Sequence, residues 1–427
     1  MSADSLAGYT RDPFDGFFDG RPVDELIEPG SLLDTDAVHQ WFELFHRGLP
    51  HSLYTYQLPL QKTPGATSSA FDRELLMFSS YSYLGLIGDA RINDAVQAAV
   101  RRYGTSTGGV RLLTGTLDLH HRLETELADF LGVEAASAFS SGYDANVGVI
   151  TSLFGSGDWA ILDRYAHASI QDGCRMAGME MRPFRHNDMG DLERRLKQAD
   201  QKGADRVLIA VDGVFSMDGD QAPLADMIEL KEKYGAFLLV DEAHALGAIG
   251  ETGRGTCEAQ DVDPSRIDII TGSLSKGIPS SGGFVAGARD LKIYVQHGSA
   301  PYIFSAALTP ANAAAALAGI RTLRDDPSIM ERLRRNTAIL QEGVRERGLD
   351  SGECESPVVP VILGDEFRAY RWARGMLTDG VFVSAVVFPA VARGMARLRL
   401  CATAAHEPEQ FDRLFEAIDG MLAAEKG

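Results

Sequence analysis

Apolar residues in this chain come in short dense runs, separated by stretches where they recur every three or four positions. Phe237-Leu238-Leu239-Val240 and Trp159-Ala160-Ile161-Leu162 are too short for helices and lack the polar alternation of a half-wet strand. Runs of that kind predict strands covered on both faces. Others are predicted at 75–78, 135–139, 206–211 and 267–271. Between them the spacing predicts helices over 120–131, 143–153, 168–177 and 224–234. An earlier helix is predicted from Ile92 to Tyr103, with Ile92, Val96, Ala99, Val100 and Tyr103 on one face. Strands alternating with amphipathic helices imply an α/β fold with a mostly parallel sheet.

Past Thr309 a second series begins. An Ala-rich helix (311–325) and a charged one (329–347) precede strands at 358–363, 381–383 and 396–401, with helices at 367–377 and 408–421. Before Leu75 the pattern yields only a helix at 36–46 and a Pro/Thr/Ser-rich loop at 64–69. The expected organisation is an N-terminal arm (1–75), a large α/β domain (76–308) and a smaller C-terminal α/β domain (309–427). No internal repeat or low-complexity tract interrupts it.

Composition narrows the function classes. With 427 residues, 45% hydrophobic and 24% charged, the chain reads as an ordinary globular protein of more than one packed unit. No apolar run approaches the ~20 residues of a membrane span, and the acidic, Phe-rich start has no basic leader. The formal charge of −19 argues against a nucleic-acid partner. An anionic ligand would need a local basic patch, for which Arg101, Arg102 and Arg111 are candidates. Cys174, Cys257, Cys354 and Cys401 are far apart without metal-ligand spacing, as expected of free thiols in a reducing cytoplasm.

Several polar residues fall just past predicted strand ends, where open α/β sheets bind ligands. Ser140-Ser141-Gly142-Tyr143 joins a strand to a helix, so its N–H groups can hold a phosphate, though an ordinary connection has the same sequence. His167 opens a helix and suits stacking on a flat ring or simple capping. Asp241 ends an apolar strand, where a carboxylate needs a cation, a donor or a protonated ring nitrogen. His244 lies close by, and Ser216 sits in a turn, Ser216-Met217-Asp218-Gly219-Asp220. Lys276 follows another strand, with Ser273 and Ser275 as hydroxyl neighbours. Arg399 stands between Leu398 and Leu400, a position that a substrate carboxylate or a sheet edge would explain. A lysine for a Schiff base together with an aspartate for a ring nitrogen is what pyridoxal phosphate asks of a protein.

Taken together, His-Ala-Ser, Phe-Ser-Met-Asp-Gly-Asp, Asp-Glu-Ala-His, Leu-Ser-Lys and Ala-Arg-Leu-Arg resemble the α-oxoamine synthase family from about Leu75 onward. The resemblance implies the type I pyridoxal phosphate transferase fold, built as a homodimer with shared active sites, and pyridoxal 5'-phosphate as cofactor. It implies that Lys276 is the Schiff-base lysine, Asp241 the partner of the pyridine nitrogen and His244 a neighbour of the ring hydroxyl. It likewise makes His167 the stacking histidine, Ser216 a cofactor contact, and Gly142 and Tyr143 the phosphate turn. Ser273 stands where Thr is usual and keeps the hydroxyl. Ser305 matches a phosphate contact lent by the other subunit, and Arg399 the substrate-carboxylate arginine. The implied activity is decarboxylative condensation of an amino acid with an acyl thioester, on coenzyme A or an acyl carrier protein, giving an α-aminoketone in a biosynthetic pathway. Tyr81 replaces an Asn of the family's motif, as in some serine palmitoyltransferase-like members, and Asp212 stands where many members have Glu. Gly109-Val110-Arg111-Leu112-Leu113 lacks the Thr and Asn that 5-aminolevulinate synthase uses, so a longer or less polar acyl group than succinyl is expected. Transamination or aldol cleavage on the same fold, and a non-catalytic partner subunit, are the competing expectations.

Overall fold

The computed structural model describes residues 21–22, 25–48, 55–63, 65–70 and 72–426. The start of the expected arm, 1–20, lies outside the described residues. A seven-stranded sheet forms the centre, in the order Ala135–Phe139, Gly283–Gly287, Ile269–Ser273, Phe237–Asp241, Val207–Asp212, Trp159–Leu162, Glu180–Met181. From Ile269–Ser273 to Glu180–Met181 neighbouring strands are parallel, whereas Gly283–Gly287 is antiparallel to both of its neighbours. The fold is α/β with a mostly parallel sheet, as expected.

The dense apolar runs have a direct physical reading. Ile161, Ile209, Val211, Leu238 and Val240 enter one core, while Ala160, Leu162, Leu208, Ala210 and Leu239 enter another. Successive side chains on a strand point to opposite faces, so a strand covered on both sides has no position left for a polar residue. Helices Gly142–Leu153 and Ala168–Ala177 pack together on the latter face of the sheet. Asp118–Leu131 and Leu224–Tyr234 contribute to the first.

Several elements escape the sequence pattern, among them the strand Thr67–Ala70, which falls in the stretch read as a Pro/Thr/Ser-rich loop. The strand Gly283–Gly287 follows a Gly/Ser-rich segment that reads as loop, and its first glycine is a crowding requirement. A β-carbon there would lie 2.3 Å from the Ser141 carbonyl oxygen and 2.5 Å from the Gly142 Cα. Helices Met189–Lys202 and Arg289–Gly298 bury little: Leu192, Leu196 and Ala199 are the buried apolar residues of the first, and Val295 that of the second. A stripe that thin is faint beside their charged residues.

A second core lies under the antiparallel strands Val358–Gly364, Ala396–Cys401 and Ser384–Val386, with helices Glu366–Thr378 and Pro408–Ala424. Two segments near the expected boundaries cross between the cores. Leu76 and Phe78 are buried in the second core, because Arg73–Met77 pairs in parallel with Val381–Phe382. Conversely, Pro310–Asp325 buries Ala313, Leu317 and Ile320 in the first core, against Ala90–Tyr103 and Asp118–Leu131. Among the described residues no helix is long and apolar enough to cross a membrane.

Candidate active site

Asp212 and Asp241 end adjacent parallel strands and pair in register, and Asp241 pairs in turn with Thr271 of the strand that leads to Lys276. Parallel strands therefore deliver their terminal side chains to one place, the usual binding crevice of such sheets. Lys276, Asp241, Asp212, His167, His244 and Gly142 line a single cavity of about 210 Å³. Burial holds the Lys276 amine below its usual range, against the pull of Asp241 and Asp212 toward the ammonium. Asp212 moves the other way. Burial, reinforced by the Asp241 charge, holds its carboxyl well above the usual range, although the His167 N–H donates to its Oδ1 at 3.0 Å.

Beneath the lysine a chain of hydrogen bonds fixes the geometry. The Thr271 hydroxyl donates to Asn146 Oδ1 (2.6 Å), which turns the amide nitrogen toward Asp241. That Nδ2 donates to Asp241 Oδ2 at 2.7 Å and to Ser169 Oγ at 2.9 Å. The Ser169 hydrogen is then free for His167 Nδ1, 2.7 Å away. Burial favours neutral His167, so the relay puts its one ring proton on Nε2. Asp241 Oδ1 accepts from the Ala243 N–H at 2.9 Å. Both oxygens have a donor, and each keeps a further lone pair for a ligand.

Two arginines in the strand Ala396–Cys401 are buried, and they differ in what they bond. Arg397 donates through Nη1 to Asp218 Oδ1 (2.7 Å) and the Met217 carbonyl (2.9 Å), and through Nε to the Met395 carbonyl. Arg399 makes one long hydrogen bond to backbone, Nη1 to the Ser216 carbonyl at 3.4 Å, the Tyr81 side chain also lies against it, and among the described residues its buried Nε has no partner. Its guanidinium lies 4.4 Å from the centroid of the Tyr81 ring. A buried guanidinium with donors to spare is costly unless a ligand completes it. Tyr81 meets His244 edge-on, and His244 Nδ1 is 2.8 Å from the Tyr83 hydroxyl. Burial holds His244 well below its ordinary value and Tyr83 well above.

The family described as aminotransferase class I and II matches residues 73–418. An 8-amino-7-oxononanoate synthase of Symbiobacterium thermophilum is 42% identical over 365 residues, covering 86% of this chain and 93% of that protein. A serine palmitoyltransferase of Sphingobacterium spiritivorum is 40% identical over 370 residues, 87% of this chain and 91% of that one. The chain belongs to the aminotransferase class I and II family, among its α-oxoamine synthases. A solved serine palmitoyltransferase from S. paucimobilis, with bound PLP–myriocin aldimine, superimposes on this α-oxoamine synthase with a TM-score of 0.86. It is 34% identical and covers 91% of this chain and 99% of that one.

In this α-oxoamine synthase the fold brings together Gly142, Tyr143, His167, Asp241, His244, Ser273 and Lys276 around the cavity. Ser216 lines the adjoining groove instead, and its carbonyl faces Arg399. Ser305, just past the helix Ala300–Phe304, does not line its own chain's cavity. Leu112 and Leu113 are exposed, away from both cavity and groove. Arg111 is removed from the candidate anion patch: it is buried, with Nη1 donating to Glu124 at 2.8 Å. Arg102 is exposed and faces Asp118. Asn146 and Thr271 carry no sequence signal of their own, whereas Ser169 is the serine of the His-Ala-Ser motif. Asn146 lies inside a helix, and only its hydrogen bond to Asp241 makes it part of the site.

Proposed function

We propose that this chain is a pyridoxal-phosphate-dependent C-acyltransferase that joins an amino acid to an acyl thioester, releases carbon dioxide and yields an α-aminoketone. The observation that carries the reading is the meeting of Lys276 and Asp241 in one cavity, with the Arg399 guanidinium, its Nε unpaired among the described residues, close to His244. The residues present fit the cofactor. Asp241 would hold the pyridine nitrogen's proton, His167 would lie against the ring, and His244 would stand by the ring hydroxyl. The helix starting at Gly142 presents N–H groups beside the Ser273 and Ser275 hydroxyls, a set suited to a phosphate. When bound, pyridoxal phosphate supplies an electron sink for charge developing at the amino acid's α-carbon.

The chain's own groups do the rest. Burial, which holds the Lys276 amine below its usual range, favours its neutral form; Lys276 would hold the cofactor and, whenever its amine is free, take the α-proton on Nζ. Arg399 binds the substrate carboxylate through the donors it has spare, which fixes the orientation of the bond that breaks. Asp241, held from both sides by Asn146 and Ala243, would keep a proton on the cofactor's ring nitrogen. Tyr81 stacks beneath the guanidinium and limits where the carboxylate can sit.

The enzyme works as a homodimer in which Ser305 serves the partner's phosphate. Its absence from its own cavity and the 80% exposure of neighbouring Phe304 support that reading. Its free thiols, three of them buried, suit a reducing cytoplasm. The decisive test uses an amino acid labelled at its carboxyl carbon. Condensation releases the label as carbon dioxide only when acyl thioester is present, and the product mass contains the acyl chain. Lys276→Ala lowers turnover by about 10²- to 10⁴-fold or more and abolishes the borohydride-sensitive absorbance of the bound cofactor. Label retained in an α-keto acid would instead establish transamination.

A further inference from the structure

The strands that end at the Lys276 cavity begin at a different one. Phe237 opens the strand that Asp241 closes, and Ile269 opens the strand that leads to Lys276. Both line a groove of about 780 Å³ at the opposite end of the sheet, together with Phe154, Leu291 and Tyr294. Four strand steps of about 3.3 Å put Phe237 roughly 13 Å from Asp241, so the groove is separate from the catalytic cavity. Its apolar walls are held in place yet open to water. The Phe154 and Phe237 rings meet edge-on at 6.2 Å, and the Tyr294 hydroxyl donates to the Ser152 carbonyl at 3.0 Å. Phe237 is nevertheless 38% exposed, Tyr294 52% and its neighbour Ile293 53%. Grouped apolar exposure of this kind marks a surface that something covers.

Charge narrows the occupant. Arg206, the basic residue of the lining, is already engaged: its Nη2 and Nε donate to Asp158 at 2.6 and 3.1 Å. Asp268 pairs with Lys231 at 2.7 Å. Two lining carboxylates remain, Glu134 and Asp290, both exposed at the rim. Glu134 accepts the Arg289 N–H at 3.0 Å and Asp290 the Leu291 N–H at 2.7 Å. No ammonium or guanidinium pairs with either among the described residues. Aromatic walls below two unpaired carboxylates complement a cation carried on an apolar chain, and they repel a fatty carboxylate of the same length.

We infer that this groove binds a long-chain ammonium ion, the chemical class of the enzyme's own α-aminoketone product. The groove's preference follows from the residues above, and only the product as its source rests on the proposed function. The ammonium lies by Glu134 and Asp290, and the chain runs over Phe154 and Phe237. Product held there leaves the substrate's place at Lys276 free.

Binding is measured by calorimetry on the cofactor-loaded enzyme, with N,N-dimethyldecylamine, decanoate and N,N-dimethylpropylamine, each below its micellar concentration. A tertiary amine cannot condense with the cofactor's aldehyde, which keeps Lys276 out of the measurement. The long amine is expected to bind about tenfold more tightly than decanoate or the short amine, and its lead over decanoate shrinks with added salt. Glu134→Gln and Asp290→Asn each weaken it about threefold and leave decanoate no weaker. Ser265→Trp, at an exposed lining position, weakens the long amine and spares the short one. Equal binding of amine and carboxylate, or amine binding that these variants leave unchanged, overturns the groove as an ammonium site. The purified condensation product is expected to displace dimethyldecylamine from the parent enzyme; failure to do so overturns the product as its ligand. Labelled carbon dioxide release keeps the two readings apart: its absence refutes the acyltransferase and with it the product, while the amine titration still decides the groove.

Discussion

Arg397 and Arg399 stand two positions apart on one strand, both buried, and their hydrogen bonds separate a structural arginine from one awaiting a ligand. The pair Ala-Arg-Leu-Arg is visible in the sequence, but nothing in it says which guanidinium is already engaged. Arg399→Ala is expected to lower kcat/KM for the amino acid by about 10- to 100-fold, the loss of a charge-assisted pair. Arg399→Lys recovers part of it, because an ammonium keeps the charge and loses the planar fork. Steady-state kinetics at saturating thioester would read both, and an unchanged Arg399→Ala enzyme would remove the arginine from the substrate site. Lys276 and Asp241 were legible because each follows an apolar strand. Asn146 was not, because its partners Asp241 and Thr271 are remote in sequence and meet it only in the folded chain.

At the level of elements, the phosphate turn depends on a strand that the pattern hides. Ser141 caps the helix Gly142–Leu153 by accepting from the Asp144 N–H, and its carbonyl rests against Gly283. Gly283→Ala therefore pushes directly on backbone, at a cost of about 1–3 kcal/mol. Urea unfolding should show the loss, and cofactor affinity should fall with it because the displaced atoms form the turn. A second tie joins three strand-end turns: His186 sits between Asp163 (3.0 Å) and Asp220 (2.7 Å). Burial opposes its charge, but those two carboxylates prevail and raise the imidazolium to about 10. An unfolded histidine titrates near ~6.5. The folded value is the higher one, so the cluster's stabilisation is complete below about pH 6.5 and is lost as pH rises through about 10. Thermal unfolding of His186→Gln should fall furthest below the parent in mildly acidic buffer, and the gap should close in strongly alkaline buffer. A gap independent of pH would mean that packing against Phe215, not charge, is what His186 supplies.

For the whole molecule, the two cores are interlocked. Arg73–Met77 is carried into the second core and Pro310–Asp325 back into the first. The site lies where they meet, with Lys276 and Asp241 from one and Arg399 from the other, so motion at this seam would alter the distance between lysine and substrate carboxylate. If Ser305 completes the partner's phosphate site, diluting the enzyme until it sediments as single chains should release cofactor in step with dissociation. Cofactor retained by isolated chains would remove the shared site. Ser305→Ala should loosen cofactor without disturbing amino-acid recognition, since it lies far along the chain from Arg399 and outside the cavity.

By itself the sequence determined the elements whose burial is uniform: the strands from Trp159 and Phe237, the more apolar of the helices around them, and the polar residues at strand ends. It did so because a strand covered on both faces leaves an unbroken apolar run, and because chemistry at such ends needs particular side chains. Only the tertiary structure decided which buried polar groups are already satisfied, where the two cores divide, and that a glycine-rich stretch is an inner strand. Those outcomes depend on contacts between residues distant in sequence, where the close approach of Gly283 to Ser141, or of Asn146 to Asp241, becomes a physical constraint only once the chain has closed on itself.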